Sequence, residues 1–521
     1  MDNAISHHAL LARGLNWLGD AVISIPAIRA LALARPEGVA VVARGGAREL
    51  YRALPGVTEV WDDKKSPRDR YRLIRELKKR RFGEAILFPN SFGAALLAFL
   101  ARIPVRIGYA GDGRSLLLTE AVAKNRAALG AHEAFSYLSL LETAGIPAPF
   151  VLPSLARPEA AKGRESGEFR LALAPGASYG TAKRFGAKGF AKTARLYAEI
   201  FPRAQITLVG AAAEIGEAQA ALALLRASGL TPLDLTGKTT FAELVRVLAE
   251  ASLVLCNDSG VMHLAAALRT PVAVPFGPTN PLATGPLSRE SRILRVGAEC
   301  SPCKYRHCPK PEKLCYRGLE PESLFRESRA LLKFLSLPRD PARSLILSFV
   351  APPRETAIAP DAPLAFVLDA VALASIPPSR LAPGPDQGTR PDAFPLGTDS
   401  LKPKPRAYFQ GKYPLFQAPD ARRARLWGAE MALSRGFTPQ NSVFLANSLA
   451  ALREIKDLPK TLPDARPSPA RDAALAPWPV ALVLNADEPS LARQAARENL
   501  IPTVCAPSFA RALEWAQSYL K

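Results

Sequence analysis

Apolar residues from position 9 to about position 130 follow two patterns that alternate along the chain. Short apolar runs such as "VAVVAR" and "EAILFPN" have the length and composition of buried strands, whereas "DAVISIPAIRALALA" and "ARELYRAL" space their apolar residues as a helix does. Strands that alternate with helices are typical of βαβ units on a parallel sheet. The pattern predicts a Rossmann-like α/β domain over residues 1–165.

The same alternation returns over residues 166–340 and predicts a second Rossmann-like domain. Strands are expected at "RLALAPG", "AQITLVG", "SLVLCNDSG" and "PVAVPFG", with helices such as "KGFAKTARLYAEIF" and "TFAELVRVLAEA" between them. The loops "APGASYG", "VGAAAE", "CNDSG" and "PFGPTN" each follow a predicted strand. Ligands of such sheets bind outside the carboxyl ends of the strands, so these loops are candidates for a binding site.

The composition of the sequence changes after residue 340, where proline becomes frequent. Residues 341–363 contain "APPRETAIAPDAP" and are predicted to be a Pro-rich linker, followed by a smaller α/β domain over 364–521. The run "FVLDAVAL" resembles the haloacid dehalogenase (HAD) phosphatase fold, with Asp369 at the position of the nucleophile. Val371 and the segment Asn485–Asp487 depart from the aspartates of that family, which implies a degenerate domain without catalysis. An unrelated α/β domain that binds a partner is the alternative.

The charge of the chain favours polyanionic partners. Lys and Arg outnumber Asp and Glu by 68 to 47, which gives a net charge of +21 and a pI near 9.9. Nucleic acid, an acidic membrane face and phosphorylated substrates all fit this charge, but no RNP-type, KH or helix-turn-helix pattern supports nucleic acid. The sequence has no apolar stretch of about 18 residues and no signal peptide, and four of its six cysteines cluster. These features predict a cytoplasmic protein that binds the inner face of the inner membrane peripherally.

Three segments at strand-to-helix corners carry candidate chemistry. "NWLGDAV" places Asp20 at the start of a helix, where a carboxylate either caps the helix or acts as a base. "APGASYGTAKRFG" places Lys183 and Arg184 side by side, as a pyrophosphate site or as an ordinary basic loop.

The third segment is "NDSGVMHLAA". Asp258 or Ser259 caps the helix that follows, and Gly260 leaves its first turn open, so its free amides can face an anion. His263 in that first turn either donates to a phosphate or packs against its neighbours.

Four segments in this order resemble glycosyltransferase family nine, the ADP-heptose:lipopolysaccharide heptosyltransferases, and within it the heptosyltransferase II branch. They are "NWLGDAVISIPAIRAL", "APGASYGTAKRF", "LTGKTTFAELVRVLAEASLVLCNDSGVMHLAAAL" and "FGPTNP", and the resemblance covers residues 9 to 340. It implies a GT-B fold, in which two Rossmann-like domains face a cleft, with the donor on the second domain and the acceptor on the first. The implied reaction is inverting transfer of heptose from ADP-heptose to the inner core of lipopolysaccharide, with no required cofactor.

The resemblance also implies roles for individual residues. Asp20 would be the catalytic base, and Lys183 would stabilise the departing diphosphate. The implied donor-binding residues are Arg184, Gly210, Thr236, Gly237, Asp258, Ser259, Gly260 and His263. The implied acceptor-binding residues are Asn90, Ser91, Arg106 and Arg114.

Two further patterns lie outside these roles. The run "SPRDRYRLIRELKKRRF" is predicted either to meet anionic lipid headgroups or to be a solvated basic helix. Cys300, Cys303, Cys308 and Cys315 have a spacing that suits structural zinc, with reduced thiols in a loop as the alternative.

Two alternatives keep the fold but change the function. One is a family-nine transferase for another sugar nucleotide or acceptor, and the other is an inactive glycan-binding or scaffold relative. The presence of both Asp20 and Lys183 favours an enzyme over a scaffold.

Overall fold

The computed structural model describes residues 10–123, 131–159, 168–310 and 312–336, and a set of strands and one helix between residues 345 and 520. The chain divides into two compact units, the first built from residues 1–128 and 133–328 and the second from residues 129–132 and 329–521. Among the described residues, no helix combines the length and the apolar character needed to cross a bilayer.

The first unit contains two parallel sheets, and the strands of the first sheet come from the N-terminal part of the chain. They are β1 (Leu10–Arg13), β2 (Val39–Ala43), β3 (Val57–Asp62), β4 (Glu84–Leu87), β5 (Val105–Tyr109) and β6 (Glu120–Val122). Their order is β3-β2-β1-β4-β5-β6, and every adjacent pair is parallel. The order reverses between β1 and β4, so their carboxyl ends flank the crevice in which doubly wound sheets bind ligands.

Helices cover both faces of this sheet. They are α1 (Leu18–Ile23), α2 (Ile25–Ala34), α3 (Gly45–Arg52), α4 (Pro67–Arg80), α5 (Phe92–Leu100) and α6 (Glu133–Thr143), with a 3-10 helix at Arg114–Leu117. On one face, apolar residues of α4 and α5 pack on β1, β2 and β4 in a buried cluster. The apolar periodicity of the sequence therefore specifies this core directly.

The second sheet repeats the topology of the first. Its strands are β7 (Arg170–Ala174), β8 (Gln205–Leu208), β9 (Leu233–Asp234), β10 (Leu253–Cys256), β11 (Val272–Phe276) and β12 (Ser291–Arg295). Their order is β12-β11-β10-β7-β8-β9, again with all adjacent pairs parallel. The order reverses between β7 and β10, which are followed by the Lys183 and the Asp258 segments.

The helices of the second sheet follow its strands in chain order. They are α7 (Ala187–Ile200), α8 (Ile215–Ala227), α9 (Phe241–Glu250), α10 (Gly260–Ala267), α11 (Pro281–Thr284) and α12 (Pro321–Ser336), with 3-10 helices at Thr181–Lys183 and Ala212–Glu214. The two Rossmann-like domains predicted from the alternation are thus confirmed. The predicted boundary between them, residue 165, lies outside the described residues.

The two sheets of the first unit are joined through α1 and α10. A Cβ atom placed on Gly260 would lie 2.9 Å from Cβ of Leu18, and one placed on Gly19 would lie 2.8 Å from Cδ2 of His263. Glycine at both positions lets the helices approach closely, because any side chain would collide with the opposite helix. The start of α1, which carries Asp20, is therefore held against the start of α10.

The second unit contains a mixed sheet. Its strands are β13 (Leu345–Ser348), β14 (Leu364–Leu368), β15 (Ala382–Pro383), β16 (Arg406–Gln410), β17 (Tyr413–Gln417), β18 (Ser442–Ala446), β19 (Val480–Val483) and β20 (Val504–Ala506), and the helix α13 (Phe509–Leu520) follows. The strand order is β15-β16-β17-β14-β13-β18-β19-β20, with antiparallel pairs only among β15, β16 and β17.

Part of the segment predicted to be a linker belongs to this sheet. Strand β13 lies within residues 341–363 and pairs with β14 and β18. The short apolar run "LILS" lies between Pro-rich segments, so the sequence pattern did not indicate a strand there. The sheet therefore begins before the predicted start at residue 364. Asp369, Val371 and the segment Asn485–Asp487, which carried the HAD resemblance, lie outside the described residues.

Candidate active site

Asp20 lies in the first turn of α1, half-buried where this helix meets α10. The pKa of Asp20 is raised to about 6, chiefly by burial and also by the negative charges of Glu133 and Asp258, while Lys183 acts in the opposite direction. A carboxyl group with a pKa near neutrality is suited to general base catalysis. Of the two predicted roles, the environment of Asp20 favours the base over the simple helix cap, since the cap needs no raised pKa.

Lys183 forms a buried ion pair with the segment that follows β10. Its Nζ atom lies 2.6 Å from Oδ2 of Asp258, whose side chain is only 4% exposed. The ammonium group also lies 4.9 Å from the ring centroid of Tyr179, and Thr279 donates a hydrogen bond to the same Oδ2 atom (2.5 Å). Lys183 is therefore a fixed positive charge at the reversal point of the second sheet.

Arg184 does not join Lys183 in a paired cationic site. Its guanidinium turns to Glu217 on α8, with a separation of 3.5 Å between Nη1 and Oε2. Consecutive side chains leave an extended backbone in opposite directions, and Arg184 has extended backbone angles. Lys183 therefore faces Asp258 and Arg184 faces Glu217, and the donor contact predicted for Arg184 stays a prediction.

The loop that carries Lys183 is held by Asn257, the residue before Asp258. The fully buried Asn257 amide donates to the carbonyls of Pro175 (2.6 Å) and Gly176 (3.1 Å), and its oxygen accepts from the N–H of Phe185 (2.9 Å). Asn257 is not among the residues predicted from the sequence, although it begins the "NDSG" segment. The asparagine fixes the two loops of the reversal point to each other.

Ser259 begins α10 and has an unused hydroxyl group. Its Oγ atom is buried and lacks a hydrogen-bond partner among the described residues, and it does not cap the helix. Buried hydroxyls are normally satisfied, so an unpaired one beside free helix amides indicates a position for an anionic ligand. The residues present therefore fit a diphosphate at the start of α10.

His263 packs between the two sheets. The side chain is 5% exposed, and its ring lies against Gly19 of α1. Of the two predicted roles, the contacts in the structure favour packing, and they place the imidazole next to the residue that precedes Asp20.

A second group of polar atoms lies where β7, β8 and β9 end. The N–H of Gly237 donates to the carbonyl of Gly210 (2.9 Å), and Gly237 adopts a left-handed φ of 72°. The buried Thr236 hydroxyl has no hydrogen-bond partner in the described part of the chain. The buried carboxylate of Glu214 accepts from Ser178 Oγ (2.8 Å) and from the N–H of Ala211 (2.9 Å).

This group can bind the hydroxyl-rich part of a nucleoside. It combines an unpaired hydroxyl with a carboxylate, which accepts hydrogen bonds from ribose hydroxyls. Glu214 was missed by sequence reasoning, although it ends the quoted loop "VGAAAE" directly after a predicted strand.

On the first sheet, Asn90 and Ser91 follow β4 and are exposed at its carboxyl end. Arg114 is fully buried: its Nε donates to the carbonyl of Tyr109 (2.7 Å), its Nη1 to the carbonyl of Pro89 and its Nη2 to Oδ1 of Asn90 (3.3 Å). Arg114 thus supports the Asn90 loop, and its contact with an acceptor stays a prediction.

Arg106 is also placed differently from the prediction. It lies near the start of β5, at the opposite end of the sheet from Asn90, and donates to the carbonyls of Leu117 (2.6 Å) and Pro104 (3.1 Å). Its guanidinium braces the turn around β5, so it is removed from the predicted acceptor contacts.

An arginine cluster that the sequence analysis missed lies at the carboxyl ends of β1, β2 and β3. The buried carboxylate of Asp63 pairs with Arg13 (2.8 Å), Arg44 (2.6 Å) and Arg70 (3.4 Å). The side chains of Arg44 and Arg70 stay 30% and 42% exposed. One carboxylate among three guanidiniums leaves excess positive charge that can attract an anion. Only the convergence of three strand ends reveals the cluster, since its members are dispersed in sequence.

The zinc site predicted at Cys300, Cys303, Cys308 and Cys315 stays a prediction. Within the described ranges, no three side chains of His, Cys, Asp or Glu converge into a set that could hold a metal ion. Cys315 is buried, and burial together with the nearby thiols of the other three cysteines raises its pKa to about 11. The shift reflects burial and the closeness of the four thiols, and a bound metal cation would itself favour the thiolate.

The segment around these cysteines supports the turn that carries Lys183. Tyr316 donates its hydroxyl to the carbonyl of Lys183 (2.6 Å), and the Lys313 ammonium donates to the carbonyls of Thr181 (2.7 Å) and Arg184 (2.9 Å). The N–H of Ala182 donates to the carbonyl of Arg306 (2.9 Å). These hydrogen bonds hold the Lys183 turn in place before any ligand binds.

Comparisons with known proteins agree with this geometry. A family model described as "Glycosyltransferase family 9 (heptosyltransferase)" matches residues 70–314. The chain is 30% identical over 307 residues to "Lipopolysaccharide heptosyltransferase 2" of Salmonella typhimurium and equally to that of Escherichia coli, covering 55% of this chain and 88% of each relative.

A solved structure supports the same assignment. "Structure of E. coli ADP-heptose lps heptosyltransferase II" superposes with a TM-score of 0.53 at 26% identity, covering 62% of this chain and 98% of that chain. The two parallel six-stranded sheets are therefore a GT-B fold, and the chain is a glycosyltransferase. It belongs to glycosyltransferase family 9, the heptosyltransferases.

Proposed function

We propose that this protein transfers heptose from ADP-heptose to the inner core of lipopolysaccharide with inversion at the anomeric carbon. Two relatives that match this chain over 88% of their own length are named lipopolysaccharide heptosyltransferase 2. The observation that carries the proposal is the convergence of one raised-pKa carboxylate, one fixed ammonium and one unpaired hydroxyl at the reversal points of the two sheets.

Asp20 acts as the base in this proposal. Its carboxylate takes the proton of an acceptor hydroxyl while the oxygen of that hydroxyl forms a bond to the anomeric carbon. The bond from that carbon to the diphosphate oxygen breaks, and its electron pair leaves with ADP. With Asp20 as the base, the acceptor oxygen displaces the diphosphate in one step, which inverts the configuration.

Lys183, Ser259 and the first amides of α10 receive the developing charge of the diphosphate. They are in place before the reaction, since the ion pair to Asp258 and the hydrogen bonds of Tyr316 fix the Lys183 turn. Charge stabilisation by donors that need no rearrangement is usually a large part of catalysis. The reaction as written uses no metal ion.

The remaining candidate residues divide between the two substrates. Gly210, Thr236, Gly237 and Glu214 contribute to the nucleoside end of the donor. Asn90 and Ser91, with the excess charge of the Arg13–Asp63–Arg44–Arg70 cluster, contribute to the acceptor, whose phosphate or carboxylate groups suit arginine. The protein works at the cytoplasmic face of the inner membrane, where its basic surface meets anionic lipid.

Turnover of a panel of sugar nucleotides with purified inner-core acceptor tests the proposal. We expect transfer from ADP-heptose, unchanged by a chelator, and little or no transfer from UDP-, GDP- or other ADP-sugars. Transfer from a different donor would keep the family and mechanism but refute the sugar. Nucleotide binding without transfer from any donor would instead indicate the inactive glycan-binding relative.

A further inference from the structure

Helix α5 packs one side on the sheet and leaves large apolar residues exposed on the other. Ala95, Leu97 and Ala98 belong to the core of the first sheet. Phe92, Phe99 and Leu100 remain 46%, 46% and 44% exposed, and Leu96 is partly exposed. We call Phe92, Leu96, Phe99 and Leu100 the apolar stripe, because their spacing places them along one side of the helix.

The apolar stripe is unusual for a helix on the surface of a protein. Such helices normally present polar residues on their outer side, but α5 has the sequence "FGAALLAFL" and no polar side chain. Contiguous exposed apolar groups usually mark a contact surface. The stripe is therefore expected to be covered by something when the protein works.

The neighbouring helix α4 has a strongly basic outer side. Residues 64–81 contain ten Lys or Arg and only two Asp or Glu. Leu73 and Leu77 anchor α4 in the same core as α5, which leaves its cations outside. The exposed cations of α4 are Arg68, Arg72, Arg75, Lys78, Lys79 and Arg80.

Cations also border the aromatic side chains of this region. The Arg106 guanidinium lies 5.6 Å from the ring centroid of Phe99, and that of Arg75 lies 6.0 Å from the ring centroid of Tyr71, which is 62% exposed. Aromatic rings beside cations are typical of surfaces at the boundary between water and lipid headgroups.

We infer that α4 and the apolar stripe of α5 form a docking surface for an anionic phospholipid bilayer. The stripe enters the boundary between headgroups and acyl chains, and the cations of α4 bind the lipid phosphates. Charge complementarity selects this occupant over a second copy of the chain, because two such surfaces would bring like charges together. The inference specifies the membrane contact of the proposed function, yet lipid binding does not depend on which sugar is transferred.

Co-sedimentation of the full chain with lipid vesicles tests this inference. The vesicles contain phosphatidylcholine alone or phosphatidylcholine with phosphatidylglycerol. One variant combines Phe99→Ser with Leu100→Ser, and a second combines Arg72→Glu with Lys79→Glu. Matched controls are Leu33→Ser, at an 81% exposed position on α2, and Arg226→Glu, at an exposed position on α8.

We expect the intact chain and both controls to bind the anionic vesicles and to bind the neutral ones much more weakly. Partitioning should fall about fivefold for each cation removed from the surface. It should fall about tenfold for each half-buried apolar side chain that is removed from the stripe. Transfer to a delipidated, water-soluble acceptor should stay unchanged in both variants, so that loss of docking is distinguished from loss of catalysis.

Three outcomes would overturn the inference. The first is equal binding of the intact chain to neutral and anionic vesicles. The second is binding by both variants as tight as that of the intact chain. The third is a concentration-dependent dimer that the stripe variant abolishes while its vesicle binding stays normal, which would assign the stripe to a second copy of the chain.

Discussion

Replacement of Asp20 by Asn is expected to lower kcat about 10²- to 10⁴-fold, the usual contribution of a general base. Asparagine keeps the size of the side chain but cannot accept the proton of the acceptor hydroxyl. Asp20 is mostly ionised at neutral pH, but its raised pKa means that this ionised carboxylate destabilises the folded state relative to the unfolded chain. The variant should therefore melt at the same temperature as the intact chain or higher, and the lost turnover cannot be ascribed to unfolding.

Steady-state kinetics with thermal melting measures this prediction. Glu199→Gln on α7 is the matched control, since it removes an exposed carboxylate outside the site and should leave kcat unchanged. ADP binding should change little in Asp20→Asn, because the proposed donor contacts lie on the second sheet. If Asp20→Asn kept kcat within about tenfold of the intact chain, another group would have to be the base.

Replacement of Lys183 by Met is expected to lower kcat about 10²- to 10³-fold, as the loss of one fixed donor to a developing charge does in other enzymes. This variant also leaves the buried Asp258 carboxylate without its cation, so a loss of stability accompanies the loss of turnover. The two effects can be separated by adding Asp258→Asn, which removes the unpaired charge.

The double variant Lys183→Met with Asp258→Asn should regain melting temperature but not turnover. Lys192→Met on α7 is the matched control, since its ion pair with Glu322 is exposed and should contribute little to either quantity. Recovery of kcat together with stability in the double variant would contradict the proposal, because it would mean that Lys183 acts only as the partner of Asp258.

The periodicity of the sequence predicts most of the fold of the first unit. Strands such as "VAVVA" and helices such as "GVMHLAAA" appear where their apolar spacing places them, because buried parallel sheets require continuous apolar runs. Strand β13 was missed because its short apolar run is surrounded by proline. Periodicity carries little information when a strand is only a few residues long.

The site was predictable where a motif follows a strand, and unpredictable where side-chain direction decides the role. Asp20 and Lys183 lie at strand-to-helix corners, as their motifs predict. These corners follow β1 and β7, where the strand order of each sheet reverses. Arg114 and Arg184 both have the positive charge that an anion-binding residue needs. Arg114, however, is buried under the Asn90 loop, and Arg184 pairs with Glu217. The sequence shows where an arginine lies in the chain, but it does not show which groups the guanidinium contacts.

The clusters that sequence reasoning missed are assembled from distant segments. Asp63 joins residues from two other strand ends and a helix, and Tyr316 reaches the carbonyl of Lys183 from far along the chain. No local pattern links these positions, because parallel topology brings together strands that are not consecutive in sequence.

The pH dependence of kcat/KM for ADP-heptose tests the role of Asp20 most directly, since this constant reports ionisations of the free enzyme. Asp20 must be ionised to accept a proton, and burial raises its pKa to about 6. We therefore expect a plateau at neutral pH and a tenfold fall per unit below about pH 6. Glu133→Gln should shift this fall to lower pH, because the charge of Glu133 raises the pKa of Asp20. A value of kcat/KM that stays constant down to about pH 5, in a chain that remains folded there, would contradict the assignment of Asp20 as the base.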